Sequence, residues 1–222
     1  MKKTFTILVA LLLGLTTVFG QGQKAGVSFQ LGGILPTHQF KSVPSLYAPG
    51  FNSFGENGGA MFGASFGLKF TYAFRNTALE DSGLGIFLAG DAMWNSLDKS
   101  IREMYDKVSC TKPMYINVPI IIGVNYTLNF GDVFGIWVEG GIGADLFFKT
   151  PEGWENRLTE YKMGAEFASQ VGAGILLART VSLGAHYYWL GTQDVRTKTD
   201  NILYPNNQMK IGVWAFKLGF HF

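Results

Sequence analysis

Large apolar side chains recur at every second position along most of this chain. The clearest run is Ala60–Phe74, in which one alternate set reads Phe, Ala, Phe, Leu, Phe, Tyr, Phe and the other reads Met, Gly, Ser, Gly, Lys, Thr, Ala. Because successive side chains of a strand point to opposite faces, this ribbon has one bulky apolar face and one small or polar face. Seven further segments repeat the alternation: Gly26–Ile34, Gly83–Asn95, Met114–Leu128, Val133–Phe147, Gly164–Ala178, Thr180–Leu190 and Lys210–Phe222. The pattern predicts an all-β chain of eight strands.

The connections between these segments alternate in length. Long polar stretches occupy Leu35–Gly59, Ser96–Pro113, Phe148–Met163 and Gly191–Gln208, and short turns lie around Arg75–Ser82, Asn129–Asp132 and Arg179. Long loops at one rim and tight turns at the other are typical of antiparallel up-and-down barrels in outer membranes. Since the first connection is long, both chain ends are predicted at the short-turn rim.

The bulky set of side chains is predicted to face lipid. A soluble barrel needs a polar outer surface, and a narrow eight-stranded interior has room only for small residues mixed with a few large ones. Only 15% of the residues are charged, against about a quarter in a soluble domain. Closure is also required, because an open sheet edge in hydrocarbon would leave backbone groups unpaired. The chain is therefore predicted to form an eight-stranded antiparallel transmembrane β-barrel, and a soluble core rich in aromatics is the alternative.

Aromatic residues near the strand ends of this barrel are predicted to form girdles at the two membrane interfaces. The residues in question are Tyr72, Trp94, Phe134, Trp189 and Trp214.

The first twenty residues have the pattern of a secretory signal peptide. A basic start, Met1–Lys3, precedes an apolar stretch, Thr4–Phe19, and small residues at the right offsets predict cleavage after Gly20. The barrel domain is then 21–222; an uncleaved N-terminal anchor is the alternative. Loss of Lys2 and Lys3 leaves 16 basic residues (18 − 2) against 16 acidic ones. A neutral chain of this kind gives no support for nucleic-acid binding.

Two stretches resemble known outer-membrane families. The closing strand ends on alternating aromatics, Phe220 and Phe222, and so resembles the C-terminal assembly signal of bacterial outer-membrane barrels. Tyr115–Tyr126, YINVPIIIGVNY, is similar to the Tyr-x-x-x-Pro strand of the PorT-like outer-membrane β-barrel family common in Bacteroidota, with Asn117 where an acidic residue is usual. The resemblance implies an outer-membrane location, periplasmic chaperones, the barrel-insertion machinery, and an envelope protein partner such as a secretion apparatus. Proline cannot donate to a ladder, so Pro119 predicts a bulge or a local break in pairing.

The set of residues facing the lumen contains several charges. A charge in so narrow a space is costly unless it is paired. We expect Lys69 and Lys217 to pair with lumen carboxylates, Glu139 first, so that the network closes the barrel; a proton or ion path is the alternative. The predicted polar network comprises Lys69, Asp91, Glu139, Asp145, Glu166, Gln170, His186 and Lys217, with His221 nearby.

No cofactor, metal or catalytic site is predicted. The three histidines are far apart and Cys110 is the one cysteine, so no metal-ligand spacing is present. A lipid-modifying enzyme remains an alternative, because His38 is close to Ser42 in sequence and His186 shares a face with Ser182. Aromatic residues in the long loops are predicted either to cap the barrel or to bind a partner; they are Phe40, Tyr47, Phe51, Phe54 and Trp154.

Overall fold

A computed structural model describes residues 25–42, 57–74, 83–107, 114–149, 159–161, 165–197 and 207–222. The predicted signal peptide, Cys110 and most of the loop aromatics lie outside these residues. Within them, nine strands are β1 Ala25–Thr37, β2 Ala60–Ala73, β3 Gly83–Leu97, β4 Tyr115–Phe130, β5 Phe134–Lys149, β6 Thr159–Tyr161, β7 Ala165–Leu177, β8 Val181–Thr197 and β9 Asn207–His221. Two helices are α1 His38–Lys41 and α2 Lys99–Lys107.

Eight long strands close into a barrel. Neighbours in sequence pair in antiparallel register from β1 through β5, then β7, β8 and β9, and β9 pairs back with β1. The three residues of β6 pair with the C-terminal end of β8. At the seam, the Val27 amide donates to the Phe222 carbonyl (3.1 Å) and the Phe222 amide donates to the Val27 carbonyl (2.8 Å). The predicted eight-stranded antiparallel barrel is confirmed, and its last residue lies within the paired seam.

The bulky faces of the strands point outward. Phe66, Ile120 and Phe216 are 40%, 49% and 52% exposed. Their sequence neighbours on the other face, Ser65 and Ile121 among them, are buried in the lumen. An exposed apolar surface that follows strand after strand would be unstable in water, so the barrel spans a membrane. Neither helix in the described ranges is long and apolar enough to cross one.

The aromatic residues predicted for the interfaces are all substantially exposed on the outer wall. Tyr72, Phe134, Phe220 and Phe222 lie within a few residues of the short turns and the chain end, whereas Trp94, Trp189 and Trp214 lie towards the long-loop rim. On β9 the outward positions beyond Trp214 are Gly212 and Lys210. The apolar belt therefore ends at Trp214 on this strand.

The strand that contains Pro119 loses ladder pairing on one side. Gly90 pairs with Ile120 and Met93 with Asn117, but the intervening positions of β3 and β4 are not paired. On the other side Pro119 stays in register with Asp145. The predicted local break is confirmed, and there is no register shift.

Segments predicted as loops contain two short helices. Asp98 starts α2, since its Oδ1 accepts hydrogen bonds from the Ser100 amide (2.9 Å) and the Ser100 hydroxyl (2.6 Å). These hydrogen bonds lower the pKa of the Asp98 carboxyl below its ordinary value. Strand β8 continues to Thr197, beyond its predicted end at Leu190, across a register shift at Gly191, whose φ of 80° suits glycine. Helix α1 occupies part of the first predicted loop.

Glycine at position 174 permits the close approach of β7 to its neighbours. A Cβ there would lie 2.6 Å from Trp137 Cζ2 and 2.7 Å from the Gly184 Cα, whereas a Cβ at the outward-facing Gly90 would have nothing within 4 Å. We expect Gly174→Val to destabilise the barrel by about 1–3 kcal/mol through overpacking, and Gly90→Val to be neutral. Urea unfolding in lipid vesicles, followed by tryptophan fluorescence, measures both; equal stability of the two variants would contradict the packing described.

Candidate functional site

The lumen is crossed at mid-height by a buried polar network. Lys69 of β2 donates to Glu139 Oε2 of β5. Strands β3 and β4 lie between these two strands in the wall, so the contact crosses the lumen. Gln170 of β7 donates to Glu139 Oε1 (2.9 Å). The Lys69 ammonium also lies 4.8 Å from the centre of the Phe87 ring and 5.4 Å from that of Trp137. Cation–π contacts of this kind help to compensate the lost hydration of a buried ammonium.

A second ion pair lies beside the first. Lys217 of β9 donates to Asp91 Oδ1 of β3 (2.6 Å), to the Tyr188 hydroxyl (2.7 Å) and to Gln30 Oε1 (3.2 Å). The Tyr188 hydroxyl in turn donates to Asp91 Oδ2 (2.9 Å). All three ammonium hydrogens of Lys217 therefore have acceptors. Both charged side chains are almost completely buried.

Histidine 186 lies between the two ion pairs. Its Nδ1 is 3.3 Å from Glu139 Oε1, and its ring is 5.2 Å from Trp137 and 6.1 Å from Tyr188, measured between centroids. Gly172 on β7 faces it in register, and a Cβ at Gly172 would lie 2.7 Å from His186 Nδ1. The imidazole ring is therefore tightly packed between the two ion pairs.

Two predicted members of the network lie nearer the long-loop rim. Asp145 is fully buried and has no ion-pair partner among the described residues. Glu166 faces the same side from the neighbouring strand, directly opposite Asp145 in register, and is partly exposed. The structure therefore brings together six of the eight predicted polar residues around the two lysines and leaves Asp145 and Glu166 apart from them.

A layer of buried hydrophobic side chains lies at the long-loop mouth above the network. Phe40 of α1 is buried in it, with its ring 5.2 Å from Tyr115, which stacks on Phe147 at 5.9 Å. The Tyr115 hydroxyl donates to the Gly58 carbonyl (2.7 Å), which ties the start of β2 to the mouth. The layer also contains Leu97, Ile101, Met209 and Ile211. Of the loop aromatics, Phe40 thus caps the barrel; Tyr47, Phe51, Phe54 and Trp154 lie outside the described residues.

The residues considered for catalysis are arranged differently from their sequence spacing. The Ser42 hydroxyl donates to the His38 backbone carbonyl (3.2 Å) and not to its ring. Ser182 contacts His221, with 2.8 Å between Oγ and Nε2, and not His186. A serine–histidine pair needs a third group that orients the imidazole, and no carboxylate contact to His221 is found in the described part of the chain. No group of three or more metal-ligating side chains is found there either.

Gln30 and Tyr188 also belong to the network, although the sequence did not single them out. Both occupy the lumen-facing alternate set of their strands, and both are buried. A polar side chain at a lumen-facing position is the sequence feature that could have identified them.

Comparison with solved structures finds small outer-membrane barrels. The chain is similar to Ail of Yersinia pestis in complex with the heparin analogue sucrose octasulfate (12% identity, 90% of this chain and 100% of that chain covered, TM-score 0.43). It is also similar to Neisserial surface protein A (9%, 90% and 96%, 0.48) and to OprG of Pseudomonas aeruginosa (12%, 90% and 96%, 0.48). No protein-family model and no curated protein matches the sequence. Identities this low transfer no function.

Proposed function

We propose that this chain is an outer-membrane barrel with a closed lumen and a structural or interaction role in the bacterial envelope. The observation that carries the proposal is the combination of an outward apolar belt with a lumen bridged by two buried ion pairs. An apolar belt suits lipid outside, and a filled interior suits a scaffold better than a channel.

The closed lumen is supported at two levels. At mid-height, Lys69–Glu139 and Lys217–Asp91 join opposite walls, with Tyr188 and His186 between them. At the long-loop mouth, Phe40 and its apolar neighbours form a second layer. An ion passing through would have to separate buried charge pairs and then cross an apolar constriction, and both steps are costly.

The predicted signal peptide indicates export, which is consistent with a membrane-spanning barrel. We propose cleavage after Gly20, carriage by periplasmic chaperones and insertion by the barrel-insertion machinery, with Phe220 and Phe222 as its recognition signal. Both aromatics lie exposed at the seam where the barrel closes. Outer-membrane lipid is then the immediate partner of the belt.

Neither catalysis nor a cofactor is part of the proposal. The charged groups of the lumen are assigned to the structural role, because the two lysines and their carboxylate partners neutralise each other. The secretion role implied by the PorT-like resemblance remains a prediction of the sequence, because no family model matches. The same applies to a partner bound by the long loops.

Planar-bilayer recording tests the closed lumen. We expect the purified wild-type barrel to give no steady conductance, because the network and the apolar layer are both intact. Tyr188→Ala, which removes a fully buried ring from the network, is expected to produce small steady openings. Tyr126→Ala removes an equivalent ring from the outer wall and should remain silent. Large steady conductance from the wild type would contradict a closed lumen.

A further inference from the structure

The outer wall near the long-loop rim carries an unusual aromatic cluster. Tyr187 points outward from β8, yet it is only 9% exposed. Its ring lies 4.5 Å from that of Trp189 and 4.9 Å from that of Trp214, both in edge-to-face geometry. These three rings lie at the upper end of the apolar belt on β8 and β9.

Helix α1 is held down against this cluster from the outside. The Tyr187 hydroxyl is 2.7 Å from His38 Nε2 and 3.1 Å from Thr37 Oγ1. The Lys210 amide of β9 donates to Gln39 Oε1 (2.8 Å). Gly212 faces Thr37 in register, and a Cβ there would lie 2.7 Å from the Tyr187 hydroxyl. Glycine at this position therefore lets α1 approach the wall.

Two exposed lysines flank the cluster without an anionic partner in the described structure. Lys41 is exposed at the C-terminal end of α1, directly after the buried Phe40. Lys210 is exposed between the buried Met209 and Ile211. By contrast, Lys99 lies 3.7 Å from Glu103, and Arg179 at the opposite rim lies 2.6 Å from Asp132.

The position of these lysines along the barrel axis determines which part of a lipid they can contact. Lys210 lies just beyond Trp214, where the outward face of β9 changes from apolar to polar, and α1, which ends at Lys41, is tied to this position by the bond between the Lys210 amide and Gln39. Interfacial aromatics mark the headgroup level of a membrane, so Lys210 and the end of α1 lie at the level of lipid phosphates. Lysine stems can pack along apolar surface while the charged ends reach such groups.

We propose that the surface formed by His38, Lys41, Tyr187, Trp189, Lys210 and Trp214 binds the phosphorylated headgroup of an outer-leaflet glycolipid. Lys41 and Lys210 pair with its phosphates, the exposed His38 ring adds a polar contact, and the tryptophans pack against its acyl chains and sugar. The inference rests on the proposed outer-membrane location, with the long-loop rim outside. A phosphate group near two ammonium groups that have no anionic partner among the described residues gains charge-assisted hydrogen bonds.

Native mass spectrometry of the folded, detergent-solubilised barrel with bis-phosphorylated lipid A tests this surface. We expect Lys41→Ala/Lys210→Ala to weaken binding about 25-fold, from about fivefold per lysine near an anionic surface. Lys99→Ala, an exposed lysine elsewhere on the long-loop side, should bind like the wild type, and Lys41→Arg/Lys210→Arg should retain binding. Heat-modifiable gel migration verifies that each variant is folded.

The comparison lipids separate the sources of phosphate. Weaker binding of dephosphorylated lipid A and of phosphatidylglycerol would support the proposal. Equal affinity of the double alanine variant and the wild type, equal binding of phosphatidylglycerol, or displacement of lipid A by millimolar inorganic phosphate would each overturn it. Cell fractionation tests the location separately, so a protein found elsewhere in the cell would remove the proposed function without altering the binding measured in vitro.

Discussion

Lys217→Met is expected to destabilise the barrel by about 3–5 kcal/mol, because it leaves the Asp91 carboxylate buried without its cation. Tyr188 would still donate to Asp91 Oδ2, but one neutral hydrogen bond does not replace an ammonium at 2.6 Å. The measurement is urea unfolding in lipid vesicles, with refolding followed to verify reversibility. The loss should appear as a lower midpoint with an unchanged slope.

The double variant Lys217→Met/Asp91→Leu separates the cost of an orphaned charge from the value of the pair. Apolar replacement of both partners of a buried pair is often neutral or stabilising, so we expect most of the stability to return. Lys99→Met breaks the exposed Lys99–Glu103 pair and should change stability by no more than about 0.5 kcal/mol. A Lys217→Met variant as stable as Lys99→Met would show that the Asp91 carboxylate is not held in a dry lumen.

The sequence could predict which side chains of each strand face outward, because an alternating pattern allows only two assignments. Once Phe66 is outside, Ser65 and Gly67 must be inside, and the same holds on every strand that alternates clearly. The break at Pro119 could also be predicted, because it follows from a missing backbone donor. These features depend on local chemistry, which a single sequence contains.

The partners across the lumen could not be predicted in the same way. That Lys217 meets Asp91, Gln30 and Tyr188 depends on the stagger between β9, β1, β3 and β8, which is set by pairing around the whole barrel. The alternating pattern assigns all four residues to the lumen but gives none of their heights. For the same reason, the sequence grouped Asp145 and Glu166 with the network, although both lie nearer the rim.

The two short helices do not follow from the alternation of apolar residues that predicts the strands. Asp98 followed by Ser100 and an apolar Ile101 is a helix-start signal that could have predicted α2. Thr37 precedes α1 but makes no capping hydrogen bond, and what fixes the four residues of the helix is contact: Phe40 enters the mouth while His38 contacts Tyr187. Short helices of this kind are determined by tertiary packing.

Ile122→Arg is expected to cost about 2–4 kcal/mol of stability in lipid, as for arginine at the middle of the bilayer on a barrel's outer wall. Ile122 is among the most exposed apolar residues of the wall, and it pairs with the outward-facing Leu88 and Ile142 near the centre of the belt. In water an exposed isoleucine would tolerate arginine, since no packing is lost. The size of the effect is therefore a measure of lipid contact at that position.

The depth dependence of this cost is a sharper test than its size at one site. Val133 lies in the short turn between β4 and β5, even more exposed than Ile122, and Val133→Arg should cost only about 0–1 kcal/mol because it lies at the interface. Both variants add the same side chain and the same charge, so the change in net charge cancels in the comparison. Equal costs at Ile122 and Val133 would mean that the outer wall meets a uniform solvent, and the apolar belt would then need a protein partner, not a bilayer, to cover it.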